Sequence, residues 1–104
     1  MAWVYLLECS DGSYYVGSTV DLELRLWQHQ HSDGEGAAYT RRRRPVRLVW
    51  SWDFDRVDEA YAFEKRVQGW SRAKRRALVE GRFDDLPWLS SRGTAALRRR
   101  REGG

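Results

Sequence analysis

Cysteine is nearly absent from this chain of 104 residues: Cys9 stands alone, so no internal disulfide can form. With only His29 and His31 beside it, the chain also lacks the ligands of the four-coordinate zinc sites that staple many small domains. Long hydrophobic runs are missing as well. Trp3-Val4-Tyr5-Leu6-Leu7, the longest near the start, is too short for a signal-peptide core or a membrane span, and no basic segment precedes it. The expectation is a reducing, cytoplasmic setting without a membrane partner. The length itself leaves room for one small core and excludes multidomain enzymes.

What the chain does have is arginine, unevenly placed. Lys and Arg number 19 against 15 Asp and Glu, a formal charge of +4. Residues 1–35 hold one base, Arg25, among six acids: Glu8, Asp11, Asp21, Glu23, Asp33 and Glu35. The other bases follow, and they are densest at Arg41-Arg42-Arg43-Arg44 and Arg98-Arg99-Arg100-Arg101. Clustered guanidinium groups suit phosphate. For the second run the plainer account is a solvated, disordered tail. Most of the excess charge lies there, so polarity along the chain is more informative than the total.

Hydrophobic patterning gives an α+β domain with a small three-stranded antiparallel or mixed sheet flanked by helices, in the order β-β-α-β-α-α. Trp3–Glu8 and Ser13–Ser18 read as a β-hairpin around Asp11-Gly12. Two registers compete. A two-residue turn pairs Ser10 with Ser13 and puts Tyr5 and Tyr15 on opposite faces. A three-residue loop with Gly12 left-handed pairs Cys9 with Ser13 and puts Tyr5, Leu7, Tyr15 and Gly17 on one face; it is the favoured register. Asp21 caps a helix to about Gln30 with a Leu22/Leu26 stripe, and residues 33–45 form a Gly-rich then Arg-rich loop. Val46–Phe54 is the third strand, with Trp50 and Trp52 on one face and Val49 on the other. Helices over Asp58–Gln68, burying Ala60, Phe63 and Val67, and from Ser71 to Glu80, ended by Gly81, complete a unit over residues 1–81. Residues 82–91 form an extension that could fold back, and 92–104 the tail.

Five side chains depart from what packing alone would choose: Tyr5, Tyr15, Arg25, His29 and Glu64. Tyrosines in strands are ordinary. Arg25 and His29, four apart beside an apolar stripe, put a permanent cation and a titratable base where helix meets sheet; a structural ion pair with Glu8 or Glu23 is the rival account. Glu64 borders the buried seam of its helix, or else lies exposed beside Lys65 and Arg66.

In order and spacing these residues resemble the GIY-YIG nuclease domain. The likeness runs from Trp3-Val4-Tyr5 through Tyr15-Val16-Gly17-Ser18-Thr19, Asp21-Leu22, Arg25 and His29. It continues through Gly36-Ala37-Ala38-Tyr39-Thr40 and Arg43-Arg44-Pro45-Val46 to Glu64 and Gly69-Trp70-Ser71-Arg72-Ala73-Lys74. It spans residues 2–80 and is greatest to the small single-domain bacterial members, relatives of the nucleotide-excision-repair nuclease domains.

The resemblance implies a DNA endonuclease, with RNA left open as a substrate, and a role in repair or in processing structured or single-stranded DNA. It implies a divalent cation, Mg²⁺ or Mn²⁺, held by Glu64, with Arg25 aimed at the scissile phosphate. Tyr5 and Tyr15 rank above His29 as general base, and His29 orients or shares the proton. Gly17, Ser18, Tyr39, Arg41, Arg42, Arg43, Arg44 and Lys74 are the expected nucleic-acid contacts. Tyr39 is a candidate to stack on bases, as Trp70 and Trp88 would be if exposed. For these two tryptophans a place in the core is favoured, because a domain this small needs large apolar side chains to close. Three departures stand out: the first triplet lacks glycine, Gln68 stands where close relatives commonly have lysine, and the chain has no asparagine to follow the metal glutamate. Ser71 is a candidate for the missing amide's place. The last absence motivates the alternative, a non-catalytic or weakly active nucleic-acid-binding module that acts with a partner.

Overall fold

Gly12 decides the register of the first hairpin. Its φ of 83° is left-handed, and the loop closes with Cys9 N–H donating to the Ser13 carbonyl at 2.8 Å and Gly12 N–H to the Cys9 carbonyl at 2.9 Å. This is the three-residue loop with a bulge at glycine. Asp11 stiffens it by accepting from the Ser13 amide and hydroxyl. β1 (Ala2–Glu8) and β2 (Tyr14–Thr19) therefore pair with Tyr5 opposite Gly17 and Leu7 opposite Tyr15. The computed structural model describes residues 1–32 and 38–82.

β3 (Arg47–Phe54) adds to the other side of β1, giving the order β2-β1-β3 with both pairings antiparallel. The expected mixed alternative is not realised. Leu6 faces Trp50 while Leu7 faces Leu48, which leaves Val49 as the extra residue of a bulge.

One face of the sheet carries Val4, Leu6, Val16, Trp50 and Trp52. Against it lies α3 (Val57–Gln68), whose Ala60, Phe63 and Val67 are buried as their spacing requires. The Phe63 ring meets Trp50 at 5.9 Å, Phe54 at 5.5 Å and the edge of Trp70 at 6.2 Å between centroids. Full burial of side chains such as Val4, Leu6 and Phe63 stabilises by roughly 1.5–3 kcal/mol each. Trp70 thus packs with the core aromatics instead of standing out as a platform for a base.

The opposite face carries Tyr5, Leu7, Tyr15 and Gly17 and meets α1 (Leu22–His31). Asp21 caps α1, its carboxylate accepting from Leu24 N–H at 3.1 Å. The Leu22/Leu26 stripe is only half-buried; the fully enclosed side chain of α1 is His29. Within the expected loop over 33–45 the chain forms a short helix, α2 (Ala38–Arg41). With that addition the element order matches the expectation.

Met1–Trp70 is one compact unit, and the chain from Ser71 onward is a second. In the second, α4 (Arg72–Glu80) is capped by Ser71, whose hydroxyl accepts from Lys74 N–H, and stops at Gly81 with φ 77°. Its buried residues are Ala77 and Leu78. The expected extension and tail beyond residue 82 lie outside the described residues. Among the described residues no helix is long and apolar enough to cross a membrane.

Candidate active site

The hairpin register puts a glycine under the Tyr5 ring. A Cβ at Gly17 would stand 2.5 Å from the Tyr5 hydroxyl and 2.7 Å from its Cζ, so only glycine lets the phenol lie across β2. The ring is 1% exposed. Its oxygen is 2.7 Å from Nε2 of His29, whose Nδ1 is 2.8 Å from Oγ1 of Thr40. His29 and Thr40 are both fully buried. Three hydroxyl and imidazole groups from β1, α1 and α2 thus form one enclosed chain.

Arg25, one turn before His29, hydrogen-bonds to the Tyr5 phenol and donates to Oε1 of Gln28 at 3.1 Å. Burial raises the Tyr5 phenol well above its usual value of 10, against the opposing pull of Arg25; the fields of Tyr15 and Glu64 add to the rise. Burial, and then the positive charges of Arg25 and Arg44, lower His29 from its usual 6.5 to about 4. Both groups are therefore neutral at pH 7. Glu8, one of the two carboxylates expected to pair with Arg25, pairs with Arg47 at 2.7 Å.

Tyr15 extends the cluster outward. Its ring meets His29 edge-on at 5.0 Å, lies 6.5 Å from Tyr5, and stacks on Tyr39 at 6.1 Å. The Arg43 guanidinium covers Tyr39 at 3.8 Å from the ring centroid. Tyr39 is thus already stacked on by protein groups.

Glu64 enters from the other side of the sheet. Ser18, which shares a face with Val4 and Val16, donates its hydroxyl to Oε1 at 2.5 Å, and Gln68, one turn along α3, donates Nε2–H to Oε2 at 2.7 Å. Each oxygen keeps lone-pair capacity after accepting one bond. Among the described residues no group of three or more His, Cys, Asp or Glu could hold a metal ion. One oriented carboxylate fits a hard cation that completes its shell with water and phosphate oxygens, and does not fit a protein-caged zinc.

The structure thus brings Tyr5, Tyr15, Arg25 and His29 together and sets Glu64 within electrostatic reach of Tyr5. It separates the arginine run. Arg44 donates to the carbonyls of His29 at 2.7 Å, Ser32 at 2.7 Å and Gln28 at 3.3 Å, so it closes the C-terminus of α1. Arg43 is held by Asp11 at 3.0 Å and the Tyr39 carbonyl at 3.0 Å. Arg41 and Arg42 are exposed, and Lys74 is exposed on α4 of the second unit. Ser18 binds Glu64, and Ser71 spends its hydroxyl on the α4 cap. Gly36 and Trp88 fall outside the described residues.

Thr40 and Gln68 are site residues that sequence reasoning did not single out for these roles. Thr40 stands in the matched Gly36–Thr40 stretch, and Gln68 lies four residues after Glu64 on one helix face, the spacing at which side chains meet.

Comparison with known proteins finds relatives along most of the chain. The model of the GIY-YIG catalytic domain matches residues 1–77. UPF0213 protein BH0048 of Halalkalibacterium halodurans is 47% identical over 92 residues, covering 86% of this chain and 96% of its own. UPF0213 protein VNG_2274C of Halobacterium salinarum is 46% identical over 78 residues, 75% of this chain and 99% of its own. The solution NMR structure of BH0048, from Bacillus halodurans, superposes with a TM-score of 0.51 at 46% identity, over 77% of this chain and 84% of that one. By the match over residues 1–77 and these identities, the chain belongs to the GIY-YIG family, a nuclease superfamily.

Proposed function

We propose that the protein is a metal-dependent endonuclease that hydrolyses phosphodiester bonds in DNA. The observation that carries this is the meeting of Arg25 and His29 at one phenolic oxygen, that of Tyr5, within the field of Glu64. Hydrolysis of a phosphodiester needs a deprotonated water, neutralisation of charge on the phosphoryl oxygens and stabilisation of the departing oxygen.

Tyr5 and His29 serve the first need as a pair. A neutral phenol is a poor base alone, but it can accept the water proton while passing its own to Nε2 of His29, 2.7 Å away. The new O–P bond forms with the water's electron pair as the bond to the 3′ oxygen breaks. Arg25 meets the second need with a permanent positive charge at the phenol. Tyr15, edge-on to His29 at 5.0 Å and only half-buried, walls the site. Glu64, oriented by Ser18 and Gln68, would hold Mg²⁺ or Mn²⁺. When bound, the cation supplies positive charge to the leaving oxygen. Exposed Arg41 and Arg42 supply backbone contacts on the substrate, with Lys74 a further candidate.

The test is incubation of the full chain with single-stranded, duplex and branched DNA and with RNA, each with Mg²⁺ or Mn²⁺. Cleavage that disappears in Glu64→Ala supports the reading. Binding without cleavage on every substrate overturns it in favour of a binding module.

A further inference from the structure

Thr40 takes no direct part in the hydrolysis, yet it is fully buried on a four-residue helix with its hydroxyl 2.8 Å from Nδ1 of His29. We infer that Thr40 is a positioning residue: it keeps the His29 proton on Nδ1, so that Nε2 is left bare to receive the proton of Tyr5. The inference rests on the proposed hydrolase reading of this site and adds the residue that makes its proton path directional.

A neutral imidazole has one N–H and one bare nitrogen, and two hydroxyls flank this one. The phenol is the stronger acid of the two, and hence the better donor to the single basic nitrogen. The Tyr5 oxygen already receives an N–H from Arg25. Its own proton, buried with the ring, needs an acceptor, and Nε2 stands in reach at 2.7 Å. Nδ1–H is then directed at Thr40, whose oxygen accepts. Without that oxygen the buried N–H would lose its hydrogen-bond acceptor among the described residues, and the proton would move to Nε2. Nε2 would then donate to the phenol, and the outward path for the Tyr5 proton would close.

Long-range ¹H–¹⁵N correlation spectra of the ¹⁵N-labelled full chain at pH 7 read the tautomer directly, with exposed His31 as an internal reference. The expected result is a His29 proton on Nδ1 in the native chain and in Thr40→Ser, and its transfer to Nε2 in Thr40→Val. In the cleavage assay Thr40→Val should lower kcat about tenfold or more, part of the roughly 10²–10⁴ that a positioned acid–base group contributes. KM should not change, and Thr40→Ser should restore the rate. A native proton on Nε2, an unmoved proton in Thr40→Val, or a moved proton with unchanged kcat would each overturn the inference. If Thr40→Val does not fold, the native and Thr40→Ser spectra still decide it. If the native chain cuts no substrate, the nuclease reading fails, while the spectra judge the tautomer independently.

Discussion

The hydroxyl of Tyr5 and Nε2 of His29 lie 2.7 Å apart across 24 residues of chain. Neither group ionises easily where it sits: burial holds the phenol protonated and the imidazole neutral. The contact therefore joins two neutral partners between which a proton can shift without a net charge entering a dry site. On the proposed function, a cation held at Glu64 or a phosphate met by Arg25 would change the field around that pair and so couple proton position to substrate binding.

Stability should fall on mild acidification because of His29. Its folded value of about 4 lies below the 6.5 of an unfolded histidine. Between those values the unfolded chain binds the extra proton, so stability is fully present above about pH 6.5 and is lost as pH falls through 4. The slope approaches ~1.4 kcal/mol per pH unit from this group. Arg25 and Arg44 repel the imidazolium, and the facing groups on the other elements, Tyr5, Tyr15 and Thr40, carry no charge to offset them. Urea unfolding of the native chain and of His29→Gln from pH 4 to 7.5 measures it. A slope as steep in His29→Gln would place the acid sensitivity elsewhere.

Gly17→Ala should destabilise the fold by about 1–3 kcal/mol, the usual cost of overpacking a filled site. The added methyl meets the Tyr5 hydroxyl at 2.5 Å and the rigid ring carbon at 2.7 Å. A buried phenol cannot swing aside without losing its bond to His29. For a domain of this size each kcal/mol lowers the melting temperature by roughly 4–8 °C, which circular dichroism resolves. A melting temperature within a degree of native would mean the ring has room to move.

Much of this site was legible in the sequence because its parts ride on regular elements. Gly12 selects the hairpin register that brings Tyr5 over Gly17, and helical spacing then puts Arg25 and His29 one turn apart. Other parts were opaque for physical reasons. Four consecutive arginines are alike as a string. Tertiary contacts alone turn Arg44 back onto the α1 carbonyls and Arg43 onto Asp11, and leave Arg41 and Arg42 exposed. Thr40 is invisible because its partner depends on where the chain after α1 returns. Val49 looked like an alternating strand residue, yet it is the bulge that shifts the register of β3.

Ser18→Ala and Gln68→Ala should each weaken metal binding without abolishing cleavage. Either change removes one of the two donors that fix the Glu64 carboxylate. Loss of an outer partner of a metal ligand typically costs about 10–100-fold in metal affinity. The concentration of Mn²⁺ giving half-maximal cleavage should rise by that order in each variant, while saturating Mn²⁺ restores most of the rate. Glu64→Gln should stay inactive at any concentration. An unchanged Mn²⁺ requirement in both alanine variants would show that the two donors do not tune the ligand.

Neighbouring arginines should give opposite phenotypes. Arg44→Ala strips the donor from three carbonyls at the end of α1. Hydrogen bonds to a charged group contribute about 1.5–3 kcal/mol, so the melting temperature should drop and amide exchange over Gln28–Ser32 should quicken. Arg42→Ala removes an exposed side chain and should leave the melting temperature alone. Its effect should appear in nucleic-acid binding, where removing one cation from a phosphate makes the slope of log K against log salt shallower by about 0.9 on duplex DNA. A salt titration by fluorescence anisotropy and a thermal melt on both variants separate the two roles. A shallower salt slope in stable Arg44→Ala, with Arg42→Ala unaffected, would reverse the assignment.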